Sequence, residues 1–306
     1  MNVRLFSMWI FSLIFSACNG QQTAKTPTGK TGKVSFEMVS VPSVITDPAE
    51  RADYLVKHYW DRFDFSDTAV VHVPEVTEQA FSNYIDLMKY VSPGTDSLAI
   101  RHMMHRAAAD STVFSYFADL YEKYLYDPNS PLRNESLYIY VLRAVLEEPV
   151  WDDVYKIRPA HLLELALKNR VGEGATDFTY TLADGRKDHL YGLKADYVLL
   201  FFYNPDCEAC KELTGQVAAS PVLNKRLKDK SLKILAVYPD EDLTAWKNHL
   251  SSMPAEWINS YDQAVSLKNE EMYDLKAIPT LYLLDGEKKV KLKDATFEQI
   301  EQVLQY

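Results

Sequence analysis

Two cysteines separated by two residues are the side chains best suited to chemistry in this sequence. Cys207 and Cys210 are two of its 3 cysteines. A thiol pair at this spacing can exchange disulfides, because one sulfur attacks and the other releases the mixed disulfide. A disulfide between them closes a very short loop and therefore stabilises a fold little. The spacing predicts a reactive pair, with Cys207 attacking and Cys210 resolving.

The segments around the pair predict how it is positioned. An apolar run at residues 198–202 comes shortly before Cys207 and is typical of a buried central strand. A helix is predicted from residue 207 to 216. A sulfur at a helix start faces backbone N–H groups and the positive end of the helix dipole, which favour a negative charge. Cys210 lies one turn further in and should be less exposed.

The rest of the chain divides into two predicted domains. In residues 171–306, β-like runs at 178–182, 197–203, 232–238, 280–284 and 289–292 alternate with helix candidates at 207–216, 243–250, 264–273 and 296–304. This alternation predicts an α/β domain, a central sheet flanked by helices. In residues 34–170, apolar residues spaced by three and four predict a mostly α-helical domain. Its helices are expected from Asp47-Pro48 onward and at 77–90, 96–109, 112–126, 134–147 and 160–168.

Residues 171–306 resemble the thioredoxin superfamily, and within it the envelope proteins related to TlpA and ResA. The segments that carry the resemblance are GATDF at 174–178, the strand and NPDCEAC at 197–210, and LKAIPT at 275–280. The resemblance implies a thioredoxin-like fold and a cofactor-free thiol-disulfide oxidoreductase. It also implies a cis peptide bond before Pro279, close to both sulfurs. Ile278 would then present its backbone to an extended substrate segment.

The residue that would accept the proton of Cys210 is not evident. Thioredoxin has an acidic residue inside the strand where this chain has Phe201, and envelope relatives often have a glutamate where it has Leu213. Glu212 lies about 200° around the helix from Cys210 and should point elsewhere. The general base therefore stays unassigned.

The charges beside the sulfurs bear on the direction of the reaction. Glu208 should disfavour a neighbouring thiolate and Lys211 should favour one. Strong oxidants of the superfamily stabilise the thiolate, and neither residue does so clearly. We therefore favour a disulfide reductase over an oxidase.

The N-terminus has the layout of a signal peptide. One arginine precedes an apolar run that is too short to span a bilayer, which takes about 20 residues. FSAC at 15–18 resembles the lipobox of bacterial lipoproteins, which implies cleavage after residue 17 and a lipid on Cys18. Residues 18–33 predict a flexible tether. An ordinary secretory signal is the alternative. A lipid-anchored, periplasm-facing envelope protein is expected, with disulfide-containing envelope proteins and a membrane thiol electron donor as partners.

Other chemistries fit less well. A formal net charge of -10 without a basic run argues against nucleic acid. A structural zinc site needs four ligands, usually cysteine or histidine, and no second cysteine pair is present. Haem attachment would place histidine at Lys211, and a peroxiredoxin would place threonine at Asn204. His102 and His105 share a helical face, but a metal between them is the less favoured hypothesis. Neither metal nor cofactor is predicted.

The helical domain leaves a second functional hypothesis open. Segment 41–61 resembles a helical domain of unknown function that precedes thioredoxin-like modules in bacterial envelope lipoproteins. An aromatic cluster, formed by Tyr54, Tyr59, Trp60, Phe63 and Phe65, indicates a packed core rather than a partner groove. In the alternative hypothesis, the protein is a scaffold whose helical domain captures a partner, with redox activity secondary.

Overall fold

The computed structural model of the protein describes residues 35–305. The signal peptide at 1–17, the lipidation of Cys18 and the tether at 18–33 lie outside the described residues and stay predictions. In the part that is described, no helix is both long enough and apolar enough to cross a bilayer.

Helices make up the first half of the described chain, as predicted. The first begins where expected, because the Asp47 carboxylate accepts hydrogen bonds from the backbone N–H groups of Ala49 and Glu50, and Pro48 occupies the first position. Single 3-10 turns follow some helices, as at Met88–Tyr90. The helices are α1 (Pro48–His58), α2 (Thr68–Val71), α3 (Thr77–Leu87), α4 (Thr95–Ala107), α5 (Ser111–Leu125), α6 (Glu135–Glu147) and α7 (Asp153–Leu167).

An aromatic core holds these helices together. Tyr59, Trp60, Phe63 and Phe65 are each at most 6% exposed and pack in one cluster with aromatic residues of α3 and α5. The prediction of a core is confirmed for these four. Tyr54 is half-buried, and its ring lies 4.4 Å from that of His58 at the edge of the helical region.

The start of α7 was predicted wrongly. The apolar spacing predicted this helix at residues 160–168, directly after Pro159. In the structure the helix begins at Asp153, because the Asp152 carboxylate accepts hydrogen bonds from the N–H groups of Val154 and Tyr155. Pro159 lies inside the helix, where it is buried.

The second half of the described chain forms a mixed sheet flanked by helices. The sheet has 7 strands in the order β2-β1-β5-β4-β3-β6-β7. Strand β3 is central, parallel to β4 and antiparallel to β6, and all its residues after Tyr197 are buried. The predicted α/β class is confirmed. The strands are β1 (Thr179–Leu182), β2 (Lys187–His189), β3 (Tyr197–Phe202), β4 (Leu232–Tyr238), β5 (Ile258–Tyr261), β6 (Thr280–Asp285) and β7 (Val290–Lys293). The helices are α8 (Glu208–Ala219), α9 (Pro221–Lys228), α10 (Leu243–His249), α11 (Ser266–Asn269) and α12 (Phe297–Leu304).

Three elements of this half were missed and one was predicted too long. The missed elements are β2, β5 and α9. Strand β5 contains Asn259 and Ser260, so it lacks an apolar run. Ser260 is nevertheless buried, and its hydroxyl is satisfied there because it donates to the Ala236 carbonyl of β4, 3.0 Å away. The helix predicted at 264–273 is the single turn α11. The Asp262 carboxylate accepts hydrogen bonds from the backbone N–H of Ala264, just before this turn, and from that of Leu267 within it.

A buried ammonium joins the helical region to the sheet. Lys293, at the end of β7, has a side chain only 4% exposed. Its Nζ lies 2.9 Å from the Glu135 carboxylate of α6, and 3.1 and 2.7 Å from the carbonyls of Ala166 and Lys168 at the end of α7. Three acceptors match the three protons of an ammonium, and a cation at a helix C-terminus is favourable. Burial lowers the pKa of Lys293 and raises the pKa of Glu135, while their mutual attraction opposes both shifts.

A second ion pair lies beside the first. The Arg133 guanidinium, just before α6, donates to the Asp294 carboxylate at 2.8 Å and also to the Asp294 carbonyl. With these contacts, the chain from Phe36 onward forms one compact unit. The domain limits 34–170 and 171–306 stay a prediction.

We predict that Lys293→Met lowers the free energy of unfolding by about 3 kcal/mol, because it leaves Glu135 and two helix carbonyls buried without their partner. The matched control is Lys289→Met, which removes an exposed pair with Glu287 and should cost less than about 1 kcal/mol. Urea unfolding followed by circular dichroism measures both. Equal effects of the two substitutions would contradict the structural role of Lys293.

Candidate active site

The turn between β3 and α8 places the two cysteines. After Phe202 the chain leaves the sheet, and Asn204 organises the turn: its carbonyl accepts the N–H of Cys207 at 3.1 Å and its side-chain oxygen accepts the N–H of Asp206 at 3.0 Å. Helix α8 begins at Glu208. The predicted order of strand, cysteine pair and helix is confirmed.

Cys207 caps α8 with its sulfur. The Sγ atom accepts a hydrogen bond from the backbone N–H of Cys210, 3.1 Å away, at the N-terminal end of the helix. Negative charge is stabilised at such a position by the N–H group and by the helix dipole. Cys207 is partly exposed and its thiol is free. Solvent or another protein can therefore reach the sulfur.

Cys210 faces inward. It is 2% exposed and packs in the core on one side of the sheet. Burial raises the pKa of the Cys210 thiol, and the neighbouring Cys207 sulfur adds to this effect. At neutral pH Cys210 is therefore a protonated thiol directly beside the exposed sulfur.

The Ile278–Pro279 peptide bond lies next to Cys207. The bond is cis, as the resemblance implied, and the Ile278 carbonyl oxygen is 3.6 Å from the Cys207 Sγ. Strand β6, which follows Pro279, pairs with β3 so that Thr280 lies opposite Phe202. The structure thus brings together Cys207, Cys210 and the Ile278–Pro279 peptide.

The charged residues of α8 offset one another. The Lys211 ammonium lies 3.2 Å from the Glu208 carboxylate in an exposed ion pair one turn apart. Glu212 is exposed, Leu213 is half-buried in the core, and Phe201 is fully buried. Leu213 and Phe201 have no group that could accept a proton and Glu212 is exposed to solvent, so the general base stays unassigned.

Two residues near the cysteines were missed in the sequence. Tyr203 directly follows β3, is buried in the same cluster as Cys210, and its ring stacks on Phe201 with centroids 5.7 Å apart. The ring of His249, at the end of α10, lies 5.9 Å from that of Tyr203. Burial raises the pKa of Tyr203 to about 12 and lowers the pKa of His249, which the charge of Lys211 lowers further. Of the two, only Tyr203 could have been recognised from the sequence, because it directly follows the predicted strand. His249 is too distant from the cysteines in sequence.

His102 and His105 do not share a ligand site. His102 Nε2 lies 3.7 Å from Asp61 and His105 Nδ1 lies 2.9 Å from Glu148, so each imidazole faces a different carboxylate. Between residues 35 and 305, no group of three or more His, Cys, Asp or Glu side chains is arranged to hold a metal ion.

Two family models match the chain. A domain of unknown function (DUF5106) matches residues 16–169, which is half of the chain, and a thioredoxin-like model matches residues 195–290. A solved structure of a thioredoxin-like protein from Bacteroides caccae is 49% identical, with a TM-score of 0.85, and the match covers 89% of this chain and 98% of that one. The chain is a thioredoxin-like protein with an N-terminal DUF5106 domain.

Curated relatives match less than half of this chain. The thiol-disulfide oxidoreductase ResA of Bacillus cereus is 28% identical over 144 residues, which cover 45% of this chain and 79% of ResA. ResA of Bacillus anthracis is 27% identical over 140 residues, covering 44% of this chain and 76% of ResA. The thioredoxin-like half is therefore related to thiol-disulfide oxidoreductases, whereas the helical half matches a domain without an assigned activity.

We predict that iodoacetamide modifies Cys207 at least about a hundredfold faster than Cys210 in the reduced native protein at pH 7. The reasons are exposure and thiolate content, since each unit of raised pKa lowers the thiolate fraction tenfold. Because the folded-state pKa of Cys210 is raised, bringing the pH to 9 should still leave Cys210 slower than an unfolded cysteine. Mass spectrometry of the peptide that contains each cysteine measures the rates.

Unfolding in guanidinium chloride provides the control for this labelling. Both cysteines should then react within about threefold of each other, because burial no longer distinguishes them. Similar rates in the native protein would show that the burial of Cys210 does not protect it.

Proposed function

We propose that this protein reduces disulfides of other proteins in the bacterial cell envelope by dithiol-disulfide exchange. One observation carries the proposal: the exposed Cys207 sulfur accepts the N–H of Cys210 and lies 3.6 Å from the Ile278 carbonyl. The sulfur thus has a stabilised position for negative charge and an adjacent backbone against which an extended substrate can align. The relatives named thiol-disulfide oxidoreductases support the same chemistry.

In the first step, the Cys207 thiolate attacks one sulfur of a substrate disulfide. A bond forms between Cys207 and that sulfur, the substrate disulfide breaks, and the other substrate sulfur leaves as a thiolate. The Ile278 backbone and Pro279 would align the substrate segment at this stage. A mixed disulfide between protein and substrate results.

In the second step, Cys210 releases the substrate. Its thiol gives up its proton to the departing substrate thiolate or to water, and its sulfur attacks the Cys207 sulfur. The mixed disulfide breaks and a disulfide between Cys207 and Cys210 forms. The substrate has gained two electrons and the protein has lost them; the protein gives up one proton, that of Cys210, and the second proton on the released thiols comes from water, because Cys207 attacks as a thiolate. The raised pKa of Cys210 keeps this thiol protonated until the mixed disulfide is in place.

A reductase in an oxidising compartment must itself be reduced again. We propose a membrane dithiol as the electron donor, with the protein held at the membrane by a lipid on Cys18. A second exchange, from the donor dithiol to the disulfide of this protein, returns the two electrons.

We predict that Cys207→Ser abolishes the acceleration of insulin reduction that the protein gives in the presence of dithiothreitol, because the attacking sulfur is gone. Cys210→Ser should instead trap a mixed disulfide with the substrate, visible on a non-reducing gel, because the resolving step is lost. Glu212→Gln is the matched control: it changes an exposed side chain of the same helix and should leave turnover within about twofold. Full turnover by Cys207→Ser would contradict the role of Cys207 as the attacking sulfur, and unchanged cellular function of this variant would favour the scaffold hypothesis.

The direction of exchange is tested by the equilibrium with glutathione. The paired charges of Glu208 and Lys211 do not single out the thiolate for strong stabilisation, so we predict a potential nearer to thioredoxin's value of about −270 mV than to DsbA's value of about −120 mV. The fraction of oxidised protein at fixed glutathione ratios, read by mass spectrometry, gives the potential. A value near −120 mV would indicate an oxidase.

A further inference from the structure

A cleft opens beside the Ile278–Pro279 peptide, between the helical region and the sheet. We call it the side cleft; it encloses about 380 Å³ and is lined by Tyr126 and Leu165 on one wall and by Pro239, Leu275 and Ile278 on the other. The first wall belongs to α7 and to the residue that follows α5. Ile278 lines the cleft and its carbonyl lies 3.6 Å from the Cys207 Sγ, so this residue links the cleft to the reacting sulfur.

From this juxtaposition we propose that the side cleft receives an uncharged, apolar side chain that flanks the reacting cysteine of the substrate protein. The helical region thereby selects substrates. This inference rests on the proposed function and names the substrate class of the same site. A segment aligned along Ile278 carries its neighbouring side chain toward the cleft, just as peptides added to a strand edge place alternate side chains in pockets.

The charges around the cleft favour an apolar occupant. The Lys268 ammonium lies 2.8 Å from the Asp240 carboxylate, and the Lys276 ammonium lies 2.8 Å from that of Asp274. The remaining charged residue of the lining, Glu271, lies 3.2 Å from the imidazole of His161. Both lysines of the lining are thus already paired with carboxylates, so an anionic substrate group finds no free counter-charge. The remaining surface is aliphatic and aromatic, which favours burial of apolar groups.

The wall contributed by Tyr126 is fixed to the loop that carries Ile278. The Lys276 ammonium lies 4.6 Å from the centre of the Tyr126 ring, in a cation–π contact. The same ammonium is 3.4 Å from the Asp294 carboxylate, which the Arg133 guanidinium also contacts. The Lys276 side chain is only 11% exposed, so water screens these contacts weakly. The two walls therefore hold a set distance, as a preformed pocket requires.

Competing peptide disulfides test this assignment. The probes are the symmetric disulfide dimers of two acetylated pentapeptides. The two peptides differ only in the residues on either side of the cysteine, which are leucine in one and aspartate in the other. The reduced full chain reacts with each, and chromatography measures the release of peptide thiol. Each rate constant is divided by that of dithiothreitol on the same probe, which removes the intrinsic reactivity of the disulfide.

The wild-type protein should prefer the leucine probe by about tenfold, as partial burial of one leucine side chain implies. Leu165→Lys should lower this preference at least fivefold, since it places a charge in the cleft. Leu165→Ser, which adds no charge, should lower it about threefold. The matched control Leu98→Lys changes an exposed leucine of α4 and should keep the wild-type preference.

The outcomes separate the two proposals. Failure of the wild-type protein to reduce bis(2-hydroxyethyl) disulfide, which has no side chain to fill the cleft, would overturn the proposed function and this inference with it. Reduction of that compound without a preference for the leucine probe would overturn this inference alone. The inference is also overturned if both Leu165 variants retain the wild-type preference while thermal unfolding shows that they are folded. A drop in both variants but not in Leu98→Lys supports the side cleft as the selecting surface.

Discussion

The antiparallel pairing of β3 with β6 is the constraint on which the candidate site depends. In this register Phe202 lies opposite Thr280, so the end of β3 and the start of β6 meet at one edge of the sheet. The cysteine turn continues from the first strand, and the Ile278–Pro279 peptide precedes the second. A slip of one residue would turn every side chain of these buried strands to the opposite face, which the packed cores on both sides prevent. The contact between the Cys207 sulfur and the Ile278 carbonyl is a consequence of the register.

The helical region positions the loop before β6 through buried charged side chains and not through the strands of the sheet. The Asp294 carboxylate, just after β7, is shared by Arg133 of the helical region and by Lys276, two residues before Ile278. Beside it, the Lys293 ammonium binds Glu135 and the last carbonyls of α7. Removing one partner of such a network leaves a buried charge, so the network resists separation of the two parts. The loop that lines the side cleft is consequently positioned by both halves of the chain.

The sequence predicted the parts of this arrangement that have a local signal. The apolar run of β3, the two cysteines and the helix after them could be recognised from type and spacing, and the cis bond before Pro279 from a resemblance. Strand β5 could not be recognised, because its buried Ser260 is satisfied by a carbonyl of another strand. The start of α7 was missed because the apolar spacing alone does not reveal the cap at Asp152, and Pro159 lies inside the helix. The neighbours Tyr126 and His249 reach the site by tertiary packing alone, which no local pattern encodes.

The phase of α8 decides which of the two sulfurs is accessible. Cys210, Leu213 and Val217 follow one another by three and four residues and turn the same face of the helix toward the core. Cys207 lies before the first turn, where it is only partly buried against this core and its sulfur accepts the N–H of Cys210. The apolar pattern that docks the helix on the sheet therefore also buries the Cys210 thiol and leaves Cys207 partly exposed. Exposing Cys210 in place of Cys207 would require rotating α8 and withdrawing Val217 from the core, so the proposed order of attack follows from the same burial that stabilises the fold.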